Sequence, residues 1–458
     1  MNGSAHSAQK KALEINLDGT RHGTFAEIGA GQEVARWFFH VGKASATVAK
    51  SISAYSMGVS DGLYGPTPRY VSRERLEAML DGEYRQLVQQ LDAKRGAETA
   101  FFVFADTVAT HGSRRPPGGH GWLGVRFQDR PRSEPSEVII HIELQDAFAV
   151  SQQEAVGLAG VNLIYGAFTR HDDPAELIRG LMEGLDRRRL EIDMIKFSGP
   201  AFAGVDNRLM SLQLVEQGLT DSAMFTSAGE VVQGSELLHG RRVAIERGSF
   251  RPVTNVTLAM LEAAKQGVRQ AAGEAGEPVA VMEMTLKNLM SGAAIDHRDF
   301  LLRADMLGAL GHTVMISNHT RFDCVTTYLR QCTHEAIGFA VGVPTLREIF
   351  DEQYYEDLMG GILEGVGRLF QGKAKVYAYP TVSAAGELEE AETLAVAPRL
   401  QHLYMHLLEN GLIVPVKGAG TEQLHVSPGD VLKMIQTGDA GWKEYVPAGA
   451  AAVIEAKS

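Results

Sequence analysis

Residues 313–317, Thr-Val-Met-Ile-Ser, form an apolar run too short for a helix and flanked by helical patterns over residues 298–310 and 322–332. Such a run is the mark of a parallel strand buried on both faces, because the crossover helices of a parallel sheet cover it above and below. A strand of this kind constrains the rest of the chain, since parallel neighbours need long, usually helical, connections. Similar units recur around it. From residue 190 onward, apolar runs at 190–197, 222–227, 242–246, 279–286, 313–317, 336–341 and 375–379 are separated by segments that mostly read as helices. The fold class is therefore α/β, with a C-terminal wound, mainly parallel sheet carrying helices on both faces.

The N-terminal part reads as mixed α+β. Residues 1–11 are small and polar and are expected to fray, residues 12–17 read as a short strand, and Asp18-Gly-Thr20 as a turn. Gly29-Ala-Gly31 precedes a helical pattern at 32–39, where helix N–H groups could face an anion. Two glycines without a clear buried strand before them do not make a dinucleotide fingerprint, and Glu27 and Glu33 would repel a phosphate, so a structural turn is the better reading. Tyrosines among the glycines and prolines of 51–70 indicate an ordered loop. A helix follows at 73–91, capped by Ser72. Residues 99–106 read as a buried strand, 111–121 as a mobile loop, 122–127 and 138–144 as an antiparallel pair, and 152–168 and 175–185 as helices. The expected divisions are a tail at 1–11, a mixed α+β domain at 12–189, the wound α/β domain at 190–400, and a closing helix with small elements at 401–458.

At 458 residues the chain exceeds the size at which one core stops growing, and its 44 basic against 56 acidic residues give a net charge of −12. That balance argues against nucleic acid or an anionic membrane as partner, which demand clustered cations. The densest basic cluster, Arg187-Arg188-Arg189, fits a helix C-terminal turn facing the dipole. The opening residues are polar, and no run of about 18 apolar residues could span a bilayer. Cys324 and Cys332 fall eight residues apart on one predicted helix, about 12 Å, too far to bond. A reducing, cytoplasmic location is expected.

In a wound sheet, the polar residues just past strand ends are the binding candidates. Here they are Lys196, Ser198, Arg247, Ser249, Glu283, Ser317, Asn318 and Arg321. The cations suit a phosphate or carboxylate, and Lys196, Arg247 and Arg321 would converge if their strands were neighbours. The rival reading makes them separate salt bridges with Asp193, Glu246 and Asp323. His319, Cys324, Cys332 and His334, with four, seven and one intervening residues, do not have the spacing of a zinc site, and no metal is assigned. Catalytic residues and cofactor remain unassigned, because no complete catalytic motif is present.

Four blocks carry a resemblance: residues 23–39, Asp193-Met-Ile-Lys-Phe-Ser-Gly199, Asn207-Arg-Leu-Met-Ser-Leu-Gln213 and Val243-Ala-Ile-Glu-Arg-Gly-Ser-Phe-Arg-Pro252. They resemble a widespread bacterial protein family of similar length, over about residues 12–447, whose members carry inconsistent labels, among them nicotinate-nucleotide adenylyltransferase and TonB-dependent receptor. The resemblance implies a grouping and no mechanism. A receptor of that type needs a signal peptide and a large β-barrel, which this pattern of strands and helices does not provide. An adenylyltransferase needs a His-x-x-His loop and a separate Ile-Ser-x-Thr-x-x-Arg motif, and residues 311–321 only echo the two.

Two functional classes follow. One is an enzyme acting on a small anionic, phosphorylated or nucleotide-like molecule at the carboxyl edge of the parallel sheet, around residues 317–321. The other is a non-catalytic homo-oligomeric scaffold or sensing protein with an enzyme-like fold. Aromatic and Met-rich helical segments such as 37–39 and 350–359 favour self-association in either case.

Overall fold

The computed structural model describes residues 2–110, 118–272, 276–292, 294–383, 386–418 and 424–457. The chain divides into two compact units, Met1–Thr220 and Asp221–Ser458.

The first unit opens with helix α1 (Asn2–Leu17) and strand β1 (Arg21–Ile28), followed by α2 (Glu33–His40), α3 (Ala44–Thr47), β2 (Val48–Ile52), α4 (Met57–Tyr64) and α5 (Arg73–Arg95). Strands β3 (Ala100–Ala109), β4 (Gly119–Phe127) and β5 (Ser136–Leu144) come next, then α6 (Ala149–Thr169), α7 (Pro174–Leu181), β6 (Leu190–Ser198) and α8 (Asn207–Glu216). The six strands form one sheet in the order β2-β1-β3-β4-β5-β6. Pairing is parallel from β2 through β3 and antiparallel from β3 to β6. Phe102, Phe104, Leu123, Val125, Ile140 and Ile142 fill one face against α2 and α6, while α5 packs on β1, β3 and β4.

Three expectations change here. Residues 2–17 are one helix, not a tail and a strand, because Ala8, Ala12 and Ile15 recur at helical spacing and are buried, and Lys11 bonds Asn162 and Glu183, each at 2.6 Å. Strand β1 hides from pattern reading because its buried positions include His22, Thr24 and Glu27. Strand β6, expected to begin the wound sheet, closes the first sheet antiparallel to β5, so the units part at residue 220 and not at 189. Its apolar positions look the same in either sheet, and only the partner strand decides. Most of the loop expected at 111–121 lies outside the described residues.

The second unit contains β7 (Ser222–Phe225), β8 (Val231–Val232), α9 (Gly234–Leu238), β9 (Val243–Arg247), α10 (Asn255–Ala272) and β10 (Val279–Thr285). A small hairpin β11 (Met290–Ser291) and β12 (Ala294–Ile295) precedes helix His297–Ala309 and β13 (Thr313–Ser317). Strands β14 (Ile337–Gly342), β15 (Ala374–Tyr379), the hairpin β16 (Thr381–Val382) and β17 (Leu388–Glu389), and β18 (Ile413–Pro415) complete it. Eight strands form the sheet β18-β15-β14-β9-β10-β13-β7-β8, parallel from β18 through β13 and antiparallel at β7 and β8. The expected mainly parallel sheet is present, with β13 inside it. Within residues 401–458, expected as a closing helix with small elements, a helix spans Gln401–Glu409 and β18 joins the edge of the sheet. Helices α9, Phe322–Cys332 and Gly361–Leu369 belong to the core on one face, and α10 and His297–Ala309 pack on the other.

Helix α10 sits close on the sheet at Gly267, where a Cβ would lie 1.9 Å from the ring of the buried Tyr377. Gly267→Ala should therefore destabilise the protein by about 1–3 kcal/mol through overpacking, against the gain of up to about 1 kcal/mol expected from helix propensity alone. Urea unfolding of the variant checks it.

Candidate functional site

Alternation along β9 sends neighbouring charged residues to opposite faces of the sheet. Arg247 follows Ile245 toward the face covered by Phe322–Cys332, and there it meets Glu283, its register partner on β10. The guanidinium is bidentate, Nε to Oε2 at 2.9 Å and Nη2 to Oε1 at 2.8 Å, and it stacks 4.5 Å from the centre of the Phe322 ring. Ser317 at the end of β13 donates to Glu283 Oε1 at 2.6 Å. Three strands are thereby tied at the carboxyl edge by a carboxylate with no exposed surface.

Glu246 points the other way, into a cavity of about 200 Å³ between the end of β9 and the first turns of α10. Ser249, Thr254, Thr257 and Met260 also line it. Among the described residues its Oε2 has no hydrogen-bond partner, and burial pushes its pKa well above the usual carboxylate range. The neutral acid is thus the form the fold accommodates. The loop over the cavity is firmly held: Gly248 N–H donates to Glu283 O at 3.1 Å, and the buried Arg303 donates to Ser249 O at 3.0 Å and pairs with Asp299. Arg251 also reaches Asp299, at 3.0 Å, and Phe250 adopts φ +48°, a conformation disfavoured for a bulky residue. Backbone strain of this kind persists where surrounding contacts over-determine it, commonly at binding sites.

Among the eight sequence candidates, Arg247, Glu283 and Ser317 come together and Ser249 lies across the strand end at the cavity. Asn318 is exposed and its N–H donates to Asp221 O at 2.9 Å. Arg321 is engaged by Asp323 at 3.0 Å and Asp357 at 2.5 Å. Lys196 and Ser198 stand on β6 of the first unit, opposite Ile139 and Glu137. The three cations therefore do not follow strands of one sheet. Two of them are salt bridges, as the rival reading holds, with the partner of Arg247 being Glu283 in place of Glu246. Of the four residues tested by spacing for zinc, His319 Nε2 lies 2.9 Å from Ser222 Oγ and Cys332 is core. Burial, then Asp323, pushes the Cys324 thiol up, opposite to what a nucleophile needs. Arg303 and the role of Glu246 were not legible, since a charged residue in an apolar helix or strand pattern does not disclose whether a partner reaches it.

The Gly29–Gly31 turn is structural, with φ +101° and +86° at its two glycines. The N–H groups of Val34 and Ala35 at the start of α2 are taken, each at 2.9 Å, by the buried Glu27 carboxylate, leaving no cradle for phosphate. Beside it Asp106, the register partner of Glu27, accepts from Ile28 N–H at 3.1 Å. Burial raises both acids, Glu27 to about 7, with Glu33 adding to its rise and Glu27 to that of Asp106. On the same sheet burial, then Asp193, pushes Glu143 up to about 7.

A larger cavity, about 640 Å³, opens at the amino edge of the second sheet among Arg241, Arg242, Glu277, Glu335, Lys373 and Lys375. It is the weaker candidate despite its size, because helices reach that edge with their C-termini, whose partial charge repels anions. Among the described residues no helix is long and apolar enough to cross a membrane.

The fold and these sites define a mixed α/β protein of two sheet-centred units. No protein-family model and no curated protein matches the chain. Among solved structures, the competence/damage inducible protein CihA from Agrobacterium tumefaciens aligns at 16% identity over 34% of this chain and 93% of that one, with a TM-score of 0.25. A competence-damaged protein (CinA) superfamily protein from Klebsiella pneumoniae aligns at 13% identity over 36% and 99% of the two chains, with a TM-score of 0.26. A competence or damage-inducible protein from Enterobacter asburiae gives 13% identity, 36% and 97% coverage, and a TM-score of 0.25. At these values the likeness carries no argument about the chemistry of this chain.

Two outcomes are expected. Arg247→Ala strands the Glu283 carboxylate and should cost about 3–5 kcal/mol in urea unfolding, whereas replacing both partners, Arg247→Met with Glu283→Leu, should recover most of that loss. Glu246 has a raised folded pKa, so between its unfolded value near 4.5 and that raised value the folded state holds a proton that the unfolded state has released. Stability therefore falls as pH rises through this window. Glu246→Gln should match the parent near pH 4 and exceed it at pH 7; equal urea midpoints at both pH values would show that Glu246 is not held neutral.

Proposed function

We propose that the second unit binds a small anionic molecule at the carboxyl edge of its parallel sheet, seated in the Glu246 cavity. The observation that carries this reading is a buried carboxyl group whose Oε2 has no hydrogen-bond partner among the described residues, in the lining of a cavity at the start of an 18-residue helix. Leaving such a group unsatisfied costs about 1–3 kcal/mol, and a ligand oxygen accepting its proton removes that cost. The positive end of α10 favours negative charge on the same ligand. Ser249 and Thr257 supply hydroxyls, and the Arg247–Glu283–Ser317 tie holds the strand ends on which the cavity is built.

Size narrows the ligand. A cavity of about 200 Å³ lies below the roughly 300–1,000 Å³ typical of sites for drug-sized molecules. A small organic acid fits this space, as does the phosphoryl head of a sugar phosphate or nucleotide whose remainder stays outside. Neutral Glu246 is also suitably placed to give a proton to such a ligand, the part a general acid plays.

The test is a thermal-shift panel on the full chain with inorganic phosphate, mono- and dicarboxylates, sugar phosphates and nucleotides. A ligand at a hundred times its Kd should stabilise the fold by about 2.7 kcal/mol. Binding should weaken as pH rises through the Glu246 pKa, survive in Glu246→Gln, which still donates, and disappear in Glu246→Leu. No response across the panel, or an unchanged response in Glu246→Leu, rejects the site.

A further inference from the structure

Strand β5 carries His141 and Glu143 two positions apart, so both project from one face, while Val138, Ile140, Ile142 and Leu144 enter the core on the other. Strand β6 breaks its own alternation beside them. His141 pairs with Met194 but Ile142 pairs with Ile192, which leaves Asp193 as an extra residue in a β-bulge. Its core positions accordingly run Leu190 and Ile192, then Ile195 and Phe197. Bulges re-aim side chains, and this one brings the Asp193 carboxylate to 2.6 Å from His141 Nδ1.

The result is a compact donor set. One ligand atom each from His141, Glu143 and Asp193 lies within 4.8 Å of the others. His141 is 2% exposed and Asp193 10% exposed, and Trp122 packs edge-on against the imidazole with ring centres 4.8 Å apart. A second imidazole stands at the rim, His120 Nδ1 at 3.3 Å from His141 Nε2. Two carboxylates gathered on a largely buried imidazole repel each other, and a dication held among them relieves that repulsion.

We infer that His141, Glu143 and Asp193 form a binding site for a first-row divalent transition-metal ion of the zinc type. Imidazole together with carboxylate selects that class over magnesium or calcium, which take oxygen donors. Three protein donors leave a coordination position for water or a substrate, as catalytic zinc sites do. The site lies wholly in the first unit, whereas the Glu246 cavity belongs to the second.

The experiment is a calorimetric titration of the chelator-treated full-length protein with zinc chloride, alongside Glu143→Gln, Asp193→Asn and, as control, His319→Ala. One zinc per chain is expected, with a rise in Tm, no comparable response to magnesium chloride, and affinity at least about tenfold weaker in the two carboxylate variants but not in the control. Absence of saturable zinc binding, parent affinity in both carboxylate variants, or a loss confined to His319→Ala overturns the site. Should a carboxylate variant fail to fold, cobalt(II) bound to the parent decides: visible ligand-field bands abolished by one equivalent of zinc support the site, and their absence rejects it.

Discussion

A carboxylate with no solvent contact costs several kcal/mol unless its charge is compensated, and Glu283 is such a group at the middle of the second sheet. Arg247 from β9 and Ser317 from β13 compensate it from both neighbouring strands. The arrangement fixes register at the edge where loops leave the sheet. It also explains why the cation nearest the strand end is not available as a simple anion receptor: its donors are spent on the fold. One residue back, on the opposite face, Glu246 is also buried and has no such partner among the described residues.

Buried acids at strand ends recur, and each is treated differently. Glu27 is received by the first N–H groups of α2, an arrangement in which the helix dipole replaces a counter-charge. Asp106 takes one backbone N–H and has an oxygen left over. Glu283 has an arginine and a serine. Glu246 has an Oε2 without a partner among the described residues, and a cavity in front of it. The contrast singles out Glu246, because the fold elsewhere shows that it can compensate an acid when compensation is the aim.

The first unit shows how little separates structure from site at the level of the chain. One inserted residue in β6 turns Asp193 toward His141, and the same insertion keeps Ile192 and Ile195 in the core. Without the bulge, strict alternation would send Ile195 and Phe197 out of the core. The signal was present in the sequence as a one-residue slip of apolar positions at 192 and 195, but a slip becomes readable only once the partner strand supplies a register.

Sequence alone determined the wound sheet of the second unit. Short apolar runs bounded by helical patterns admit few other arrangements, and residues 313–317, 336–341 and 375–379 fall on β13, β14 and β15. The antiparallel pair β4–β5 was equally legible from alternation. Tertiary structure alone decided the rest. It assigned β6 to the first sheet and placed Lys196 in a different unit from Arg247 and Arg321. It also gave Arg247 to Glu283 rather than to Glu246. The physical reason is common to all three: local pattern records which residues seek burial, whereas the identity of the partner that meets a strand or a buried charge depends on contacts between residues tens of positions apart, and periodicity carries no information about those.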